Sequence, residues 1–168
     1  MRTMLLRKNV IAFACAGVLL LAALSGCTTG PSESEQAQQA NRDYMAQVNQ
    51  SMESLEAKLG SFIDAVSRGD VVNMRTQADN AYAALDELAK IEAPEGLEDI
   101  QTSYVDGTNA LKEALDDYIA LYTEIESATA DNPFDWTSYD NRISQIKSKY
   151  DEGIGLLQSG DNAAAAKK

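Results

Sequence analysis

Apolar residues recur at helical spacing through most of this chain. Met45, Val48, Met52, Leu55, Leu59, Phe62 and Val66 follow one another at alternating steps of three and four, which lays them along one stripe of a helix. Val71, Met74, Ala78, Ala81, Leu85 and Leu88 keep the same rhythm. A third set runs Leu97, Ile100, Tyr104, Leu111, Leu115, Tyr118, Tyr122 and Ile125, interrupted only at Gly107, and a fourth runs Tyr139, Ile143, Ile146, Tyr150, Ile154 and Leu157. The two-residue alternation of a half-buried strand never persists. The pattern predicts an all-α domain of four helices, over about 36–68, 71–92, 94–130 and 134–158.

Helix breakers fall where the stripes end. Arg68-Gly69-Asp70 offers a glycine for a left-handed helix end and an aspartate to cap the next helix. Ala93-Pro94-Glu95-Gly96 ends the second stripe and suits the first turn of a third helix. Residues Ala130 to Trp136 form the last turn, with Asn132, Asp135 and Thr137 as capping side chains and Phe134 and Trp136 closing the end of the bundle. Short connections make successive helices antiparallel neighbours, so the expected architecture is an up-down-up-down four-helix bundle over residues 37–158. Leu55, Phe62, Leu85, Leu111, Tyr118 and Ile146 are its expected core.

The segment ahead of the bundle has a different character. Met1 to Asn9 is basic, Val10 to Ala23 is an almost unbroken apolar run, and Leu24-Ser25-Gly26-Cys27 follows directly. At about 14 residues the run falls short of the roughly 20 needed to span a membrane, and the order of parts is that of a cleaved signal peptide over residues 1–26. Leu24-Ser25-Gly26-Cys27 resembles the lipobox of bacterial lipoproteins. That resemblance implies recognition of Leu24, Ser25 and Gly26 by the signal peptidase, a diacylglyceryl lipid on Cys27, and Cys27 as the mature amino terminus. It also implies lipid anchoring on the extracytoplasmic face of a cell membrane or outer membrane. Cys15 lies inside the signal, so the mature domain has no thiol for a disulfide. Residues 27–36 read as the lipidated cysteine and a flexible tether, and 159–168 (SGDNAAAAKK) as a disordered tail with little to bury.

Charge narrows the chemistry. The chain carries 14 Lys and Arg against 26 Asp and Glu, a net −12, and the first 26 residues contain bases but no acid, so the mature domain is more negative still. Such a surface disfavours nucleic acid and anionic lipid. With no histidine, imidazole-dependent nucleophiles, His-containing zinc sites and Glu-x-x-His bundles are excluded. No glycine-rich phosphate loop, serine elbow or metal-ligand cysteine pattern is present, and nothing marks any one carboxylate pair for glycoside hydrolysis. The chain therefore names no catalytic residue, no metal site and no cofactor beyond the lipid.

One charge pattern stands out. Glu95, Asp99, Asp106, Glu113, Asp117 and Glu124 fall within roughly 40° of one another around a helix, turned well away from the apolar stripe. Lys112 is the single base among them. They form a candidate acidic interaction stripe for an envelope protein or another cationic partner, or else a solvated face that keeps the domain soluble. Asp131, Asn132, Asp135 and Asp140 lack the spacing of a calcium loop. Beyond the lipobox, the Pro-initiated third helix at Ala93-Pro94-Glu95-Gly96-Leu97 resembles small all-helical bacterial lipoproteins, a type mostly without an assigned activity. The expected function is a non-enzymatic, membrane-anchored interaction or scaffold module of the cell envelope. The alternative is a solute- or cation-binding accessory lipoprotein. Oligomeric state is not encoded in any feature of the sequence.

Overall fold

The computed structural model describes residues 32–167. The expected signal peptide over residues 1–26, the lipobox-like Leu24, Ser25, Gly26 and Cys27, and the first part of the expected tether lie outside the described residues. Four α-helices make up the domain: α1 (Glu33–Ser67), α2 (Val71–Ala89), α3 (Glu98–Ser127) and α4 (Tyr139–Ala166). A short 3-10 turn, Trp136–Ser138, leads into α4. Among the described residues there is no strand.

Local chemistry sets the ends. Ser32 caps α1 through a reciprocal capping box with Glu35, and this draws part of the expected tether into helix, three residues earlier than the apolar stripe suggests. Gly69 takes the left-handed conformation at φ 64°, and the Asp70 carboxylate accepts from the Asn73 amide at 3.1 Å, as the Arg68-Gly69-Asp70 turn predicts. Helix α3 starts at Glu98 and not at Pro94, because Leu97 N–H bonds back to the Pro94 carbonyl and Gly96 sits at φ 87°. Glu95 therefore stands in a turn, off the helix that was to carry it. Before α4, the Asp135 carboxylate accepts from both the amide and the hydroxyl of Thr137.

The largest departure is at the carboxyl end. Helix α4 continues to Ala166, well past the expected end at 158. Gly160 and Ala164 are buried, and the Lys167 ammonium reaches the Gly96 carbonyl and Asp99. Small side chains there bury little area themselves, yet they let the helix lie close against α3.

Cross-helix pairs fix the register. Arg75, Tyr82 and Asp86 meet Thr123, Asp116 and Lys112, so α2 climbs by seven and four as α3 descends by seven and four. Along α4, Arg142, Lys149 and Lys167 meet Glu124, Asp117 and Asp99, with matching steps of seven and eighteen in opposite senses. The core between the helices includes Leu55, Phe62, Leu85, Ile100, Tyr104 and Leu111. Tyr118 and Ile146 are only half-buried, although Tyr118 lies edge-on to Phe62 and stacks on Tyr122.

Candidate functional site

The acidic stripe is the first candidate, and the fold redistributes it. Lys149 on α4 bridges Glu113 at 3.2 Å and Asp117 at 2.8 Å. Arg142 pairs with Glu124 at 2.6 Å, and Lys167 pairs with Asp99 at 2.9 Å. Four of the six carboxylates thus line the α3–α4 boundary, opposite bases that the sequence places many residues away. Hydrogen bonds from Lys167 hold the Asp99 carboxyl below the usual range, and those to Asp117 and Glu113 push the Lys149 ammonium up. Among the described residues only Glu95 and Asp106 of the six lack a cationic partner, and they are not on one continuous helix. Three bases thus meet four of the six carboxylates at the α3–α4 boundary, and the paired acids remain about half or more exposed.

A second feature lies on the other side of the domain. Close backbone approach links α1 to α2, α2 to α3 and α3 to α4, whereas α1 and α4 stand apart. The α3–α4 approach is especially tight: a methyl placed on Gly107 would lie 2.8 Å from Leu157 Cδ2 and 3.0 Å from the Gly153 carbonyl. Drawn against α3, α4 leaves a trough of about 870 Å³ between itself and α1, partly open to solvent. Its floor is apolar, with Met45, Met52, Leu55 and Leu59 from α1 and Ile154 and Leu157 from α4. Its rims are polar and anionic, with Glu53 and Glu56 on one side and Asp161 on the other. The Asp161 carboxylate is held at 2.7 Å by the Tyr104 hydroxyl, and burial followed by that bond drives the Tyr104 phenol up. Ile63 is half-exposed at one end of the trough. At the other end a smaller hollow of about 450 Å³ shares Met45 and Ala164 and continues to Arg42 and Lys167.

The last turn divides the roles expected of its aromatics. Phe134 is buried, edge-on to Trp136, with the Arg142 guanidinium 6.0 Å above its ring. Trp136 does not join it inside and remains 64% exposed. No group of three carboxylates among the described residues converges to hold a metal ion.

The trough itself was not foreseen from the sequence. One signal was available: Ile63 lies beside the α1 stripe, and with Met45, Met52 and Leu59 it makes the apolar face wider than one neighbouring helix covers. Compared with protein-family profiles, curated proteins and solved structures, the chain gives no match.

Proposed function

We propose that this chain is a membrane-anchored extracytoplasmic lipoprotein, acylated on Cys27, that serves as a non-enzymatic interaction module of the cell envelope. The observation that carries the reading is the α1–α4 trough, where half-buried Met45, Met52 and Ile154 and half-exposed Ile63 lie over the buried Leu55, Leu59 and Leu157. Its openness favours a segment of another macromolecule over a small solute, which an enclosed chamber would suit better. The anchoring part rests on Leu24-Ser25-Gly26-Cys27 and the apolar run before it. Among the described residues no helix is long and apolar enough to cross a membrane; in this reading the acyl chains on Cys27 supply the attachment. The six residue steps from Cys27 to Glu33 reach at most about 22 Å, which keeps the domain close to the bilayer surface.

The reading is tested by extracting envelopes in mild detergent. Wild-type protein should bring a defined envelope protein with it, and Met52→Glu, which places a carboxylate on the apolar floor, should lose that protein while keeping its helical circular dichroism. Cys27→Ser should move the chain out of the mature membrane fraction. Retention of the same protein by Met52→Glu, or an unchanged mature membrane form of Cys27→Ser, would overturn the corresponding half.

A further inference from the structure

We infer that the occupant of the α1–α4 trough is a cationic amphipathic helix of about four to five turns, supplied by another protein, an inference that rests on the interaction-module reading. Length is the first argument. From Met45 to Ile63 the trough follows α1 for some 27 Å at about 1.5 Å per residue, the span of a helix of about 18 residues. Cross-section is the second. A trough open along one side suits a helix, which sets an apolar stripe on the floor and leaves its opposite face in water. An acyl chain laid in the same place would keep one side wet along its whole length, and the rim carboxylates would repel a phosphate headgroup.

Charge selects the class of helix. Glu53, Glu56 and Asp161 stand on the rims of the main hollow, and no Lys or Arg lines it. Lysine or arginine flanking the partner's apolar stripe would meet these carboxylates, whereas an acidic helix would be repelled. The same charges argue against a second copy of this chain. A two-fold pairing of troughs would set Glu53, Glu56 and Asp161 against their own counterparts in a protein of net charge −12. The floor is suited to accept varied apolar side chains, since Met45 and Met52 are unbranched and repack readily. Recognition therefore divides, with the rim choosing charge and the floor choosing stripe.

The test uses the full chain in phosphatidylcholine nanodiscs, with empty nanodiscs as the blank. Three fluorescent 18-residue peptides serve as probes: a Leu/Lys helix with its leucines in one stripe, the same composition permuted to destroy the stripe, and a Leu/Glu helix with the stripe intact. The striped Leu/Lys peptide should bind saturably, and the other two should bind about tenfold more weakly or not at all. Glu53→Gln with Glu56→Gln should weaken the striped peptide by about threefold or more, while Asp131→Asn with Asp140→Asn, the same charge change elsewhere, should leave it unaffected. Equal weakening by the two double variants, or equal binding of striped and permuted Leu/Lys peptides, would reduce the contact to general charge attraction and overturn the inference. Dimerisation of the chain that Met52→Glu abolishes would overturn it in favour of self-association. If no peptide binds while Met52→Glu still loses the co-extracted protein, the partner is of another class and only this inference falls. If that protein is also unaffected by Met52→Glu, the interaction-module reading falls with it.

Discussion

Gly153 and Gly155 lie two residues apart on α4 and face opposite surroundings. A methyl on Gly153 would come 2.7 Å from Leu111 Cγ and 3.0 Å from the Gly107 carbonyl, while one on Gly155 would meet nothing within 4 Å. Gly153→Ala should therefore push α3 and α4 apart and cost about 1–3 kcal/mol. Gly155→Ala should stabilise the helix by about 0.5–1 kcal/mol, since it removes backbone freedom from an open position. Urea denaturation of the two variants checks both signs, and matching shifts would contradict the tight seam. At this scale the sequence was informative but easily misread. Gly107 looks like a flaw in the third stripe, yet it is the point where the two helices come closest. Caps were legible where they are local, as at Asp70, and the Ser32–Glu35 box was present in the sequence but hidden inside a segment rich in tether residues.

Among the elements, α4 is the one whose extent the apolar pattern least reveals. Its last eight residues hold no large apolar side chain, so periodicity has nothing to count there. Burial arises instead from close approach, with Gly160 against the Tyr104 ring and Ala164 in the core. Deleting residues 159–168 should expose Tyr104, free Asp99 of Lys167 and lower stability, where a disordered tail would make the deletion neutral. Amide hydrogen exchange at the start of α3 should speed up in the truncated chain, and unchanged protection there would support the tail reading. The acidic stripe taught a related lesson. Its carboxylates share a face by helical arithmetic, but their neutralising bases belong to another helix, and only the α3–α4 register brings Arg142, Lys149 and Lys167 to them. Pairs exposed to this degree contribute little to stability and more to register.

Across the whole molecule, four helices and most of the core were legible because amphipathic periodicity is a property of each segment alone. The open side was not, since a gap between α1 and α4 depends on how tightly other pairs close. Glycines draw α4 onto α3, α1 packs on α2, and the remaining side stays wide over an apolar floor. That side is the basis for the proposal that the chain is a docking module, and the proposed lipid on Cys27 would hold it at the membrane. The most direct measurement places a photoreactive side chain at Met52, at Ile154 or at Asp131 and irradiates intact envelopes. The account predicts the same discrete adduct from Met52 and Ile154, on the α1 and α4 sides of the trough floor, and none from Asp131. Adducts that are identical from all three positions, or absent from both trough positions, would contradict it.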